Sequence, residues 1–138
     1  MPTTVIRFVV KGPGMERIPS ISDAEWQVME VLWRQSPLAA KDVIDALAGN
    51  IAWHPRTVKT LLGRLVAKGV LGFEREGRRY LYRPIVSRER CVRRDTRSFL
   101  DRVFRGTPMS LLTYFVENEH LSDAELDRLR QALEKRRP

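Results

Sequence analysis

The chain has 138 residues, 43% hydrophobic and 30% charged, a composition that predicts a packed core and leaves room for one ordinary domain plus an appendage. Lys and Arg number 25 against 17 Asp and Glu, and the resulting net charge of +8 suits a polyanionic partner. No apolar run approaches the ~18–20 residues that span a bilayer, and Val5–Val10 lacks the apolar core and cleavage site of a signal peptide. A cytoplasmic protein with no membrane insertion is therefore expected. A lone cysteine, Cys91, excludes an intrachain disulfide and a multi-cysteine metal site, and His54 and His120 have no neighbours at metal-ligand spacing. Without a phosphate loop, a nucleophile elbow or a zinc-protease motif, the chain reads as a non-enzyme with no cofactor.

In chain order, residues 1–20 alternate weakly through Val5, Ile6, Phe8 and Val9, then meet the breaker Lys11-Gly12-Pro13-Gly14. A short strand and an unstructured extension are both compatible with that pattern. Ser22-Asp23-Ala24-Glu25 is a capping box, predicting a helix to about Arg34 that buries Val28, Met29 and Leu32. Trp26 and Trp33 flank that stripe as core or rim packing, and Ser36-Pro37 ends the helix. A second helix fits Ala40–Ala48, with Val43, Ile44 and Leu47 inward and Gly49-Asn50 closing it. The third starts after Trp53-His54 with Pro55 at its first position, carries Val58, Leu61, Leu62 and Leu65 on one face, and stops at Lys68-Gly69. Arg56, Thr60, Gly63 and Ala67 centre on its opposite face, with Thr57 and Arg64 beside them and Lys59 nearer the edge.

Leu71–Arg75 and Arg79–Arg83, around Glu76-Gly77-Arg78, predict a β-hairpin that Pro84 ends. A helix over Ser87–Phe104 places Val92, Thr96, Phe99 and Val103 on one face, and Gly106-Thr107-Pro108 breaks it. Leu111, Leu112, Phe115 and Val116 form a short apolar segment. A second capping box, Ser122-Asp123-Ala124-Glu125, opens a last helix with Leu126, Leu129 and Leu133.

Three helices followed by a basic hairpin give the winged-helix order. The expected fold is mainly α with a small β-hairpin wing: an extension over 1–20, a winged helix-turn-helix domain over 21–84 and a helical dimerisation region over 85–138. The last ~50 residues hold too little core to stand alone. Their partner is either the winged domain or a second copy, and the second copy is expected, through Val92, Phe99, Val103, Leu111, Leu112, Phe115, Leu126, Leu129 and Leu133. Charge is concentrated too. His54–Arg83 holds eight Lys and Arg against two acids, a net +6, whereas Ser22–Trp53 holds two against five, a net −3.

A winged helix lays its third helix in the major groove of DNA and touches phosphates with the wing. Arg56, Thr57, Lys59, Thr60 and Arg64 are therefore the candidate readers of base edges, an arginine pairing with guanine and a threonine methyl meeting a thymine methyl. Arg75, Arg78 and Arg79 are the candidate phosphate contacts, with double-stranded DNA as the partner. A winged helix that binds protein instead would share the same core.

Ile21-Ser22-Asp23-Ala24-Glu25-Trp26 with Val28-Met29 and Leu32-Trp33 resembles the opening of the penicillinase repressor (BlaI/MecI) family. Trp53-His54-Pro55-Arg56-Thr57-Val58-Lys59-Thr60-Leu61-Leu62, then Arg64-Leu65 and Lys68-Gly69, is similar to its recognition helix, and Phe99–Phe104 and Leu121-Ser122 onward to its C-terminal region. The likeness covers about residues 16–135. It implies a homodimeric repressor of β-lactamase-type resistance genes, bound to an inverted-repeat operator built on TACA/TGTA halves. It also implies release by cleavage of the C-terminal region, triggered by a membrane sensor-protease. At the scissile bond, where relatives have Asn-Phe, this chain has Tyr114-Phe115. The cysteine cluster of the copper-responsive branch is absent, and Cys91 is either a packed thiol or a redox switch. Met15-Glu16-Arg17-Ile18-Pro19 resembles the usual start of family members, which implies that the first 14 residues are either an extension or a start-site misassignment.

Overall fold

The computed structural model describes residues 18–50 and 52–137, so the expectations for the first 14 residues lie outside the described ones. Along the chain run α1 (Asp23–Arg34), β1 (Leu38–Ala39), α2 (Ala40–Ala48), α3 (Pro55–Ala67), β2 (Leu71–Glu76) and β3 (Arg79–Pro84), then α4 (Arg88–Val103), α5 (Pro108–Asn118) and α6 (Asp123–Lys135). They divide into two compact units, one ending at Asp95 and the other starting at Thr96, within α4.

In the first unit the local signals act as their chemistry requires. The Ser22 hydroxyl accepts from the Glu25 N–H at 3.1 Å, and the Ser22 N–H donates to Glu25 Oε1 at 2.8 Å, which satisfies two end amides of α1 reciprocally. Val28, Met29 and Leu32 of α1, Val43 of α2 and Leu62 and Leu65 of α3 are wholly buried together. Each such side chain contributes roughly 1.5–3 kcal/mol by leaving water. Trp26 and Trp33 meet edge to face at 5.2 Å, and the Trp33 indole N–H donates to the Val86 carbonyl at 3.0 Å. The winged unit runs past the boundary expected at residue 84, because Val86 and Cys91 join its core.

The hairpin is part of a three-stranded antiparallel sheet in the order β1-β3-β2. β1 was not expected. Only two residues pair, Leu38 with Tyr82 and Ala39 with Leu81, too few for alternation to register in the sequence. The pairing ties the wing to the entry of α2. At the tip, Glu76 pairs with Arg79 across a two-residue turn whose first residue, Gly77, has φ +65°, the conformation that a type II′ turn requires there.

The second unit is different. The segment read as a short apolar stretch, Leu111–Val116, lies inside a full helix, α5, with Pro108 in its first turn. α6 opens on the Ser122–Glu125 capping box. Yet neither α5 nor α6 contains a buried residue. Phe99, Val103, Leu112, Phe115, Leu126 and Leu133 are exposed, Phe99 by 40% and Leu133 by 56%, while Leu111 and Leu129 are half-buried. Val92, on the part of α4 within the first unit, is also exposed. Aromatic contacts run from Phe99 to Phe104 (5.8 Å), Phe104 to Tyr114 (6.2 Å) and Tyr114 to Phe115 (6.3 Å).

A charged contact also joins α3 to α1 across the winged core. Lys68, the C-cap of α3, donates to Glu25 Oε1 and to the Ser20 carbonyl at 2.9 Å. Glu25 is buried and its Oε2 has no partner among the described residues, so the ammonium is what makes the burial tolerable. Burial pushes the carboxyl's pKa up, but hydrogen bonds from Lys68 and Ser22 outweigh it and hold Glu25 below the ordinary 4.5. A depressed carboxylate stabilises the fold above its unfolded-state pKa and ceases to do so as pH falls through the folded value. Lys68→Met should therefore cost about 1–3 kcal/mol in urea unfolding at neutral pH, the partial exposure of the lysine keeping the loss below that of a fully buried pair. The gap between the variant and the parent should close as the pH drops below the usual carboxylate range. A gap that stays constant with pH would remove Glu25 from the account.

Candidate nucleic-acid interface

α3 is positioned by its two ends and its buried stripe. At the N-terminus, His54 Nδ1 accepts from the Arg56 N–H at 3.1 Å, and Pro55 occupies a position that needs no amide partner. Val58, Leu61, Leu62 and Leu65 are all buried, which turns the opposite face outward. Arg56, Thr57, Lys59, Thr60 and Arg64 are exposed along it. His54, Arg56, Thr57, Thr60 and Arg64 line one shallow hollow of about 380 Å³. The Thr60 hydroxyl donates to the Arg56 carbonyl at 3.0 Å, which leaves its methyl as the group free to meet a partner. Gly63 sits mid-helix on this same face, and a Cβ there would meet nothing within 4 Å.

The wing arginines separate into three environments. Arg78 is exposed at the turn with no ion-pair partner among the described residues. Arg79 pairs with Glu76 at 2.9 Å, both more than half exposed, a contact of little net worth in water. Arg75 lies 5.6 Å from the centre of the Tyr80 ring, and that ring packs against Phe73 at 4.6 Å.

Several cations are engaged by carboxylates. On α4, Arg88 pairs with Glu30 (2.8 Å), Arg93 with Glu89 (3.3 Å) and Arg94 with Asp95 (3.5 Å). Lys68, one of the eight basic residues in the charged window, turns inward to Glu25 and adds nothing to the outer face. In contrast, Arg56, Lys59, Arg64 and Arg78 have no carboxylate partner among the described residues, and nor does Lys41 in the first turn of α2. The face made by α3 and the wing therefore carries positive charge that the protein itself leaves uncompensated, which is the electrostatic footprint of a polyanion site.

Between the wing and the starts of α2 and α3 lies a cleft of about 680 Å³. Lys59 belongs to this cleft rather than to the hollow with Arg56 and Arg64. The sequence reading did not single out His54, Lys41, Tyr80 or Tyr82 as site residues. For His54 a signal was available, since a residue directly before a helix-opening proline occupies the N-cap. The shared face of Tyr80 and Tyr82 also follows from strand alternation, but the approach of Lys41 depends on the tertiary fold.

Cys91 is wholly buried, and burial together with nearby Asp95 pushes its thiol up to about 11, Arg90 acting in the opposite direction. A protonated, enclosed thiol is a poor redox centre.

No described helix is long and apolar enough to cross a membrane. Residues 21–135 match the family model described as penicillinase repressor. The chain is 40% identical over 120 residues to the penicillinase repressor of Bacillus licheniformis, covering 87% of this chain and 94% of that protein. It is 32% identical over 116 residues to the methicillin resistance regulatory protein MecI of Staphylococcus aureus (strain N315), covering 84% of this chain and 94% of that one. A solved structure of the DNA binding domain of the repressor BlaI is similar over 52% of this chain and 88% of its own, with 42% identity and a TM-score of 0.49. With the family model matched over most of its length and a 40%-identical relative covered almost end to end, the chain belongs to the penicillinase repressor family.

Proposed function

We propose that this chain represses transcription by binding an inverted-repeat DNA operator as a homodimer, controlling β-lactamase-type or related antibiotic-resistance genes. The observation that carries the reading is the set of uncompensated cations, Arg56, Lys59, Arg64 and Arg78, on the outward face of α3 and the wing. Arg56, Thr57, Thr60 and Arg64 read base edges in the major groove, while Arg78 and Arg79 supply sequence-tolerant affinity directly and Arg75 supplies it through the Tyr80 ring it stacks on.

Gly63 supports the same reading. A mid-helix glycine destabilises α3 by about 0.5–1 kcal/mol relative to alanine, and no packing in the described chain requires it. Close approach of a duplex does. Gly63→Ala should raise stability by that amount, whereas Gly63→Leu should keep the fold and weaken DNA binding at least about tenfold, or 1.4 kcal/mol. Arg64→Ala should cost about 1–3 kcal/mol and relax preference at one operator position. Anisotropy titrations in which Gly63→Leu binds like the parent would mean that α3 does not enter the groove.

The helical arm supplies the dimer. α5 and α6 hold no fully buried residue within one chain, and a surface that presents Val103, Leu112, Phe115, Leu126 and Leu133 needs a cover. A second copy supplies one through the same residues, with Phe99, Leu111 and Leu129, and with Val92 farther up α4. Ending the chain after Asp95, which keeps Val86 and Cys91 in the winged core, should leave a folded monomer with far weaker operator affinity. Sedimentation that finds this fragment still dimeric would place the interface in the winged unit.

Repression ends by cleavage of the arm at Tyr114–Phe115 by a membrane sensor-protease. Both residues lie within α5, so the bond becomes an extended substrate only when that helix opens locally. Operator-bound protein, its dimer stabilised by linkage, should be cut more slowly than free protein. Mass spectrometry of the chain recovered after β-lactam exposure should find fragments ending at Tyr114. Intact chain alongside derepressed genes would rule the mechanism out.

A further inference from the structure

The cleft between the wing and α2–α3 has a composition that base reading does not explain. Tyr80 and Tyr82 stand on the same face of β3, and Phe73, directly opposite Tyr82 on β2, packs against both at 4.6 and 6.3 Å. Arg75 stacks on Tyr80 and so reinforces the outer end of this aromatic wall. Neither tyrosine hydroxyl is hydrogen-bonded within the described residues. On the other side stand Lys59 of α3 and Lys41 of α2, both without a carboxylate partner among the described residues. Asp42 is the acid that also borders the cleft, against Lys41, Lys59, Arg78 and Arg79. Apolar Ala39, Ala40, Ile44 and Pro55 complete the floor.

This combination fits a sugar–phosphate strand. Deoxyribose packs on apolar and aromatic surface, and phosphate oxygens accept from ammonium and hydroxyl donors. We propose that the cleft is a backbone channel in which Tyr80, Tyr82, Lys41 and Lys59 hold the DNA strand that passes between the recognition helix and the wing. The assignment rests on the proposed DNA-binding function. It gives Lys59 a phosphate rather than a base, and it makes Arg75 a positioning residue that holds the Tyr80 ring in place. Burial and neighbouring Tyr80 push the Tyr82 pKa up, so its hydroxyl stays a donor across the working pH range.

The hydroxyls carry no charge and the lysines do, so their loss leaves different traces. The probe is a fluorescent mixed-sequence duplex of about three helical turns, titrated with the full chain between about 50 and 200 mM salt. The Tyr80→Phe, Tyr82→Phe double variant keeps both rings and should melt like the parent. It should bind roughly tenfold more weakly at every salt concentration, with the slope of log affinity against log salt unchanged. Lys41→Gln should flatten that slope by about 0.9. Arg75→Gln should reproduce part of the tyrosine loss in the parent and add nothing in the double-Phe background, the mark of action through Tyr80. Parental affinity in the double-Phe variant with a parental slope in Lys41→Gln would overturn the channel alone. A parent chain that fails to bind the duplex at low salt would overturn the DNA-binding reading, and the channel with it.

Discussion

A helix that reads DNA has to satisfy two demands at once: one face must fix it to a core, and the other must carry nothing that the core needs. α3 meets both within 13 residues. Val58, Leu61, Leu62 and Leu65 are taken up by α1, α2 and the sheet strands, and that burial fixes which way Arg56, Thr60, Gly63 and Arg64 point. The ends of the helix are held separately, by the His54 imidazole on the first turn and by Lys68 on the buried Glu25. Shifting either end by one residue would rotate the outer face by roughly 100° and take the arginines away from a duplex. The rest of the winged unit, including the β1 pairing that braces the wing, keeps this helix in register with the hairpin beside it.

The two units treat charge and apolar surface in opposite ways. In the first, apolar groups are enclosed and Arg56, Lys59, Arg64 and Arg78 on one face are left open, whereas Arg88, Arg93 and Arg94 of α4 are tied to glutamate and aspartate neighbours. In the second, α6 is capped by the reciprocal Ser122–Glu125 bonds, but neither α5 nor α6 contains a buried residue. Capping and local propensity can form such helices; they cannot hold them against water without a further apolar surface. Under the proposed homodimer, the arm's stability and the chain's assembly are the same problem.

Features governed by neighbours in sequence were legible before the structure. The two capping boxes, the proline that opens α3, its four-residue stripe and the glycine turn of the wing all follow from local chemistry. What was hidden depends on distant partners. Lys68 counted as one more basic residue in the charged window, and only the fold turns it onto Glu25. Glu25 read as a cap, which it is, but its burial arises from the packing of α1 against α3. The two-residue β1 had no periodicity to detect, and the 11-residue, largely apolar α5 was too short to be told from a linking segment. The cleft was hidden for the same reason, because Lys41 and Tyr82 lie some 40 residues apart along the chain and meet only through the β1–β3 pairing.

The central claim is that an uncompensated cationic face on α3, presented twice by one dimer, reads DNA. The most direct measurement is selection of bound duplexes from a random-sequence pool by the full chain, followed by sequencing. The account predicts enrichment of an inverted repeat whose half-sites are centred about one helical turn, roughly 10 bp, or a multiple of it apart. A pool that emerges unenriched, or enriched only for a lone half-site, would contradict it.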